Sequence, residues 1–271
     1  YQEMLAWFYG YGCGELGLYQ AFRVRRRDRA PELVPVRHPD PVRLEDLIGY
    51  DLQKNRLRTN VEAFLNGKPF NNMLLYGDAG TGKSTSIRSL VNEYGEKGLR
   101  LVELTAEDFS CIPDLVALLR ERQYHFILFI DDLSYDEGDS GYRFLKAAME
   151  GGLETRPDNV MLCATSNRRH LVRESWKDRS DMEHDDDVHR SDTIEEKLSL
   201  AGRFGCLIQF YAGDRKLFER IVLALAERQT ELHLSREELL AAANRWEIRH
   251  GGVTGRTAQQ FINALASGEA K

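Results

Sequence analysis

The chain has 271 residues, and its 37 Lys and Arg against 43 Asp and Glu give a formal net charge of -6, which argues against a surface that coats nucleic acid throughout. Its contents of 42% hydrophobic and 30% charged residues argue against wholesale disorder and predict one large domain, with at most a small second one. The apolar runs, such as residues 126–130, are far shorter than the roughly 20 residues that span a bilayer, so no membrane-spanning segment is predicted.

Residues 1–40 differ in composition from the rest of the chain. An aromatic, glycine-containing stretch leads into a basic cluster, and prolines then recur up to position 41 and disfavour helix. We therefore predict an N-terminal appendage and linker over residues 1–40. The basic cluster is interpreted as a solvated face or a subunit contact, with a nucleic-acid patch as the alternative, and it consists of Arg23, Arg25, Arg26, Arg27 and Arg29.

From Leu44 onward, short apolar segments of strand length alternate with segments whose apolar residues recur at helical spacing. This alternation indicates an α/β fold, in which a parallel sheet is sandwiched by helices. Strands are predicted at residues 72–76, 101–104, 126–130, 160–164 and 206–211. Helices are predicted at residues 51–66, 84–94, 112–122, 143–150 and 193–201.

The chain beyond about residue 214 contains only helical patterns. We therefore predict an α/β domain over residues 41–212 and a small α-helical domain over residues 213–271. Residues 178–192 form an acidic stretch with two histidines, which we interpret as a mobile, solvated loop, with a metal site as the alternative.

The strongest functional signal is the stretch from Gly77 to Ser84, GDAGTGKS, which matches the pattern G-x-x-x-x-G-K-[ST] in full. It follows a predicted strand and opens a predicted helix, whose positive N-terminus would face an anion held by the backbone N–H groups of the glycine turn. Lys83 can reach the β- and γ-phosphates, and the Ser84 hydroxyl can ligate Mg²⁺. The motif predicts a nucleotide-phosphate site made by Asp78, Ala79, Gly80, Thr81, Gly82, Lys83, Ser84 and Thr85.

Two later strands also end in polar residues. Asp131 and Asp132 follow the strand at 126–130, and they would lie at the carboxyl edge of the sheet, where open α/β folds bind ligands. Asp131 is predicted to hold Mg²⁺ through water, and Asp132 to polarise an attacking water. Asn167 follows the strand at 160–164, where it would orient that water or contact the γ-phosphate; taken alone, it is a turn signal.

Two arginines complete the set of candidates. Arg203 lies between a predicted helix and the strand at 206–211, and Arg256 follows the sequence GGVTG at the start of a predicted helix. By position alone, neither is distinguished from a solvated surface arginine.

Together, these five features occur in the order found in the AAA+ ATPases, and the chain resembles that family from about residue 44 to residue 261. The resemblance implies Walker A at residues 77–84 and Walker B at Asp131 and Asp132. It further implies that Asn167 is sensor 1, that Arg203 is the arginine finger, and that Arg256 is the sensor 2 arginine of a helical lid. Ile48 and Gly49 resemble the stretch that flanks the adenine.

Four shorter stretches are similar to an uncharacterised bacterial AAA+ family catalogued as domain of unknown function 815. They are the sequences DDLS at 131–134, ATSNRRHL at 164–171, EKLSL at 196–200 and GRTA at 255–258. The chain departs from most AAA+ proteins at Asp132, where Walker B usually ends in Glu. The shorter Asp132 side chain requires a different geometry for the attacking water.

The resemblance implies an ATPase that uses ATP and Mg²⁺ and works as a homo-oligomer, in which Arg203 of one subunit reaches the γ-phosphate bound by the next. Arg169, directly after the sensor with Arg168, is the second candidate for that contact across the interface. The target of the ATPase is left open between nucleic acid or its proteins and a protein client, and a slow nucleotide-gated binding scaffold is the alternative function. We expect a cytoplasmic protein, because the four cysteines are far apart and form no C-x-x-C pair.

Overall fold

The computed structural model describes residue 4 and residues 14–27, 30–133, 142–150, 157–167, 202–229 and 234–268. Three of the sequence-based expectations lie outside these residues: the helix at 193–201, the acidic stretch at 178–192, and the pair Arg168 and Arg169.

One sheet of seven strands, in the order β2-β1-β4-β5-β6-β3-β7, organises the described part of the chain. Every neighbouring pair is parallel except β1 and β2. The predicted parallel sheet is therefore confirmed, and each of its predicted strands is present. The strands are β1 Ala21–Arg27, β2 Ala30–Pro35, β3 Met73–Gly77, β4 Leu99–Leu104, β5 His125–Ile130, β6 Val160–Ser166 and β7 Cys206–Phe210.

Helices cover both faces of this sheet, as the side chains of β5 show. Phe126, Leu128 and Ile130 pack into one hydrophobic cluster, and the alternate residues Ile127 and Phe129 pack into a second cluster on the other face. Burial on both faces explains why the central strands have continuous apolar sequences. In the described residues, the helices up to the last strand are α1 Gly14–Leu18, α2 Asp51–Leu65, α3 Lys83–Tyr94, α4 Ile112–Arg120 and α5 Tyr142–Glu150.

Three helices follow the last strand and enclose a third hydrophobic cluster, which includes Phe218, Leu239 and Phe261. They are α6 Arg215–Glu227, α7 Arg236–His250 and α8 Gly255–Ala266. The expectation that only helices follow residue 214 is met in the described residues, whereas the domain boundary at 212 remains a prediction. In the same residues, no helix combines the length and the apolar character needed to cross a bilayer.

The N-terminal segment is where the structure contradicts the sequence analysis. Residues expected to form part of an appendage and linker instead make the antiparallel pair β1–β2, and β1 pairs in parallel with β4. Phe22 is 1% exposed and belongs to the core. The two strands were missed because the arginines of β1 were interpreted as one basic cluster, although Arg23 and Arg25 alternate with apolar residues as in a half-buried strand. In addition, Pro31 and Pro35 suggested a linker, although proline is tolerated on an edge strand.

We expect Phe22→Ala to lower the free energy of unfolding by about 3–5 kcal/mol, because it removes a fully buried aromatic ring. Urea denaturation followed by circular dichroism measures this change. Arg25→Ala, at an exposed position of the same strand, is the matched control and should change it by less than about 0.5 kcal/mol. Equal stability of the two variants would contradict the placement of β1 in the sheet.

Candidate functional site

The glycine-rich turn between β3 and α3 is held against the end of β7. The backbone N–H of Asp78 donates to the carbonyl oxygen of Phe210 at 3.0 Å. Gly77 has a φ of +128°, and a Cβ atom built there would lie 1.9 Å from the same carbonyl oxygen. Only glycine allows this close approach of two backbones, which fixes the direction in which the turn leaves the sheet.

Lys83 is buried at the first position of α3, and all three of its ammonium protons have partners. Its Nζ atom donates to the carbonyl oxygens of Gly77 at 3.0 Å and Asp78 at 2.7 Å, and to Oδ1 of Asn167 at 2.9 Å. Burial lowers the pKa of Lys83 from its usual value, while the charges of Asp78, Asp132 and Asp131 act in the opposite direction. The side chain is thus held inside the turn.

Asp131 contacts the last residue of the motif. The Ser84 hydroxyl donates to its Oδ1 at 2.5 Å, Thr165 donates to the same oxygen at 2.7 Å, and Arg88 donates to Oδ2 at 2.8 Å. Burial by itself raises the pKa of Asp131, but the hydrogen bonds from Ser84 and Thr165 and the charge of Arg88 hold it below its usual value. An ionised carboxylate beside a hydroxyl is a hard-oxygen donor set, which fits Mg²⁺.

Asn167 connects the two halves of the site. Its Oδ1 accepts from Lys83, and its Nδ2 donates to Oδ1 of Asp132 at 2.8 Å. Asp132 is exposed and has a φ of +53°, and its backbone N–H donates to the Thr165 hydroxyl at 2.9 Å. An amide side chain can accept from an ammonium group through its oxygen and donate to a carboxylate through its nitrogen at the same time.

Sequence reasoning missed Arg88 and Thr165, although each had a positional signal. Arg88 lies four residues after Ser84 on α3, so the two share a helix face. Thr165 lies on β6 one residue before its end, and Asn167 directly follows that strand, so the two residues lie at the same end of β6. No sequence pattern predicts that β5 pairs with β6, and this pairing brings Thr165 against Asp131.

A cavity of about 370 Å³ opens beside the glycine-rich turn. Its apolar wall includes Ile48 and Tyr50 from the segment before α2, and Ile221 and Leu225 from α6. Gly49 lies between Ile48 and Tyr50 in the sequence and is closely packed, because a Cβ atom built on it would lie 2.5 Å from a Leu217 methyl. The polar rim includes Asp46 and Arg228, which form an ion pair at 2.9 Å, and Thr81, Gly82 and Thr85 from the motif.

Arg256 lies at the start of α8 and lines the same cavity. Its backbone N–H donates to the carbonyl oxygen of Gly80 at 3.3 Å. A Cβ atom at Gly80 would lie 2.9 Å from the Thr254 hydroxyl, so the turn and the helix N-terminus are closely packed. The structure therefore brings Arg256 together with the predicted phosphate site.

Arg203 does not join these residues within one chain. It precedes β7, whose first residue Cys206 pairs with Met73 at the start of β3. The glycine-rich turn follows the other end of β3, about 13 Å further along the strand at 3.3 Å per residue. Arg203 thus lies towards the amino ends of the strands, and its predicted role at a neighbouring subunit remains a prediction.

The basic cluster is partly paired with its own chain. Arg23 Nε lies 3.2 Å from Oε2 of Glu103, and Arg26 donates to the carbonyl oxygen of Glu107 at 2.6 Å and to the Ser110 hydroxyl. Two of the three arginine side chains described in this cluster are therefore engaged, but only Arg23 is paired with a carboxylate, which reduces the positive charge that it offers to nucleic acid.

Comparison with known proteins gives one family match and several partial relatives. The family model described as "Protein of unknown function (DUF815)" matches residues 17–269. The replication factor C large subunit of Staphylothermus marinus is 32% identical over 102 residues, which are 37% of this chain and 23% of the relative. The Holliday junction branch migration complex subunit RuvB of Lawsonia intracellularis is 30% identical over 120 residues, covering 38% and 33% of the two chains.

Among solved structures, the Thermotoga maritima RuvB Holliday junction branch migration motor superposes with a TM-score of 0.56 at 18% identity. The match covers 83% of this chain and 64% of that one, and it establishes a common fold. The chain thus spans a quarter to a third of the length of the two curated relatives above.

Thr165→Val should lower the free energy of unfolding by about 1–3 kcal/mol at neutral pH, because the Asp132 N–H and the Asp131 carboxylate each lose a partner. Since the hydroxyl helps to keep the pKa of Asp131 low, its contribution is present above the ordinary carboxyl range and fades as the pH falls through the folded pKa. Urea titrations from neutral to acidic pH should show the difference from wild type shrinking. The exposed Thr59→Val on α2 is the control, and a loss that does not change with pH would contradict the Asp131 contact.

Proposed function

The chain belongs to the family described as protein of unknown function (DUF815) and has the AAA+ P-loop fold, and we propose that it binds ATP with Mg²⁺ and hydrolyses it. The observation that carries this proposal is the continuous set of contacts from Lys83 through Asn167 to Asp132, next to the Ser84–Asp131 pair. These groups converge at one edge of the sheet, beside a cavity with an apolar wall.

Binding would use the two parts of the site differently. The turn at residues 77–83 offers backbone N–H groups and the N-terminus of α3 to the phosphates, and the Lys83 ammonium adds a positive charge. Ile48 and Tyr50 supply apolar surface for the base. Ser84 and Asp131 would hold Mg²⁺, which neutralises phosphate charge when it is bound.

Hydrolysis would depend on Asp132. A water attacks the γ-phosphorus, the bond to the β-phosphate oxygen breaks, and ADP and phosphate leave. Asp132 would accept the proton that the attacking water loses and later pass it to the released phosphate or to solvent, and Asn167 would keep Asp132 at a fixed distance from Lys83. Arg256, at the rim of the cavity, would add positive charge near the transferred phosphoryl group.

Asp132→Asn should retain ATP affinity and lower turnover about 10²–10⁴-fold, because the amide still accepts from Asn167 but cannot take a proton. Calorimetry measures the ATP affinity, and a phosphate-release assay measures the turnover.

Lys83→Ala, in contrast, should weaken ATP binding by at least tenfold, since it removes the motif's cation. Unchanged affinity in Lys83→Ala would contradict the phosphate site, and unchanged turnover in Asp132→Asn would contradict the role of Asp132.

We also propose that the protein works as a homo-oligomer, with Arg203 completing the site of a neighbouring subunit. The position of Arg203 towards the amino ends of the strands, away from the phosphate loop of its own chain, supports this arrangement. An arginine supplied in trans typically raises the rate of phosphoryl transfer about 10³–10⁵-fold.

Arg203→Ala should keep ATP binding and lose most turnover, whereas Lys83→Ala should lose turnover because it binds ATP weakly. Mixing the two variants should restore part of the activity, because some interfaces then pair an intact phosphate loop with an intact Arg203. The measurement is phosphate release at increasing mixing ratios, with subunit exchange followed by fluorescence transfer between labelled chains. Exchange without recovery of activity would contradict a role in trans.

The partner we propose is nucleic acid, or a protein bound to it. The support is the similarity to a replication factor subunit and to a Holliday junction branch migration subunit, together with the remaining exposed Arg25 of the basic cluster. Turnover with and without DNA tests it, and the stimulation should fall as salt rises. Stimulation of turnover by a protein without DNA would favour the other target left open by the sequence, a protein client.

For location we propose the cytoplasm, supported by the buried free thiols of Cys111, Cys163 and Cys206.

A slow, nucleotide-gated scaffold is the second candidate. The observation that favours it is the side chain of Asp132, which is shorter than Glu, starts from a left-handed backbone conformation and is already bonded to Asn167. Tight ATP binding with negligible turnover in the wild-type protein, with or without DNA, would support the scaffold over the ATPase.

A further inference from the structure

Arg88 bridges two carboxylates, only one of which belongs to the site described above. Its Nη2 atom lies 2.8 Å from Oδ2 of Asp131 and 2.9 Å from Oε1 of Glu103 on β4. Its guanidinium also lies over the ring of Phe129, 5.5 Å from the centroid. The side chain is therefore held by two charges and an aromatic face, although it is 42% exposed.

The two oxygens of Asp131 have different partners. Oδ1 accepts from the Ser84 and Thr165 hydroxyls, and Oδ2 accepts from Arg88. Rotation of the carboxylate about its bond to Cβ would break contacts at both oxygens. Arg88 thus determines which oxygen faces Ser84, the other residue that fits a magnesium ligand.

Glu103 in turn holds Arg88 in place. While its Oε1 contacts Arg88, its Oε2 lies 3.2 Å from Nε of Arg23 on β1. Arg23, Glu103, Arg88 and Asp131 therefore form a line of alternating charges, which we call the charge line. It runs from the N-terminal hairpin across β4 to the end of β5.

We propose that Arg88 is a positioning residue for metal binding: it holds Oδ2 of Asp131 so that Oδ1 faces Ser84 and the Mg²⁺ of the bound nucleotide, and Glu103 anchors it. This inference rests on the proposed function. Residues that orient metal ligands typically change metal affinity about 10–100-fold when they are removed.

A positioning role of Arg88 and a pure effect of its charge predict opposite changes in how strongly nucleotide binding depends on Mg²⁺ when Arg88 is removed. If Arg88 acted only through its positive charge, its loss would weaken binding of ATP⁴⁻ more than binding of Mg·ATP²⁻, because the more negative ligand feels the charge more strongly. The ratio of the Kd without Mg²⁺ to the Kd with Mg²⁺ would then rise. If Arg88 orients Asp131, its loss weakens binding of the magnesium complex more, and the ratio falls.

The test is calorimetry with the non-hydrolysable analogue adenylyl-imidodiphosphate, in EDTA and in saturating Mg²⁺, on the full chain. For Arg88→Met, which keeps the apolar stem over Phe129, we expect the ratio of the two Kd values to fall about tenfold. Glu103→Asp keeps the negative charge but shortens the side chain that contacts Arg88, so a pure charge effect predicts no change and loss of the anchor should lower the ratio by a smaller factor. It also keeps the proposal testable if Arg88→Met does not fold.

The matched control is Arg58→Met. It breaks the Arg58–Glu93 pair, which also joins α3 to another element at 2.8 Å with similar exposure, away from Asp131. Its ratio should equal that of wild type. A higher or unchanged ratio in Arg88→Met, or in Glu103→Asp should the first variant not fold, overturns the positioning role alone. If wild type itself shows no gain in affinity from Mg²⁺, the proposed magnesium site falls, and this inference falls with it.

Discussion

The amide of Asn167 is the contact on which the rest of the site depends, since it joins the Lys83 ammonium to the Asp132 carboxylate. It can do so because β6 lies between β5 and β3 in the sheet. The chain segments that leave these three parallel strands therefore meet at one edge, and their polar residues become neighbours. Strand order, more than any single motif, creates the site.

Much of this arrangement could be predicted from the sequence because its signals are local. The glycine-rich turn is contiguous, and the buried strands have unbroken apolar runs such as residues 126–130. The roles of Thr165 and Arg88 depend on which strands pair, and no local pattern reports that. The antiparallel pair β1–β2 was missed for a related reason. In β1, exposed arginines alternate with apolar residues such as Phe22, but the many charged residues concealed this two-residue repeat, which is typical of a strand.

The helices after β7 are joined to the site through backbone and charge as well as packing. The first turn of α8 bonds to Gly80, and Arg228 at the end of α6 pairs with Asp46 beside the cavity. The cavity wall is therefore shared between the glycine-rich turn, the segment before α2 and the C-terminal helices. Because α8 is bonded to Gly80 and closely packed against the turn, a displacement of the turn would also displace the start of α8.

The antiparallel pair β1–β2 also limits which contacts a second copy of the protein can make at one edge of the sheet. Its outer strand β2 lies at one edge of the sheet and contains Pro31 and Pro35, which have no backbone N–H to donate. Extension of the sheet from one molecule into the next is thereby blocked at this edge, where an unprotected strand would invite open-ended aggregation. A second molecule that approached this edge would therefore meet side chains and not a row of free backbone N–H groups, and side-chain contacts can break and re-form without unfolding a shared sheet.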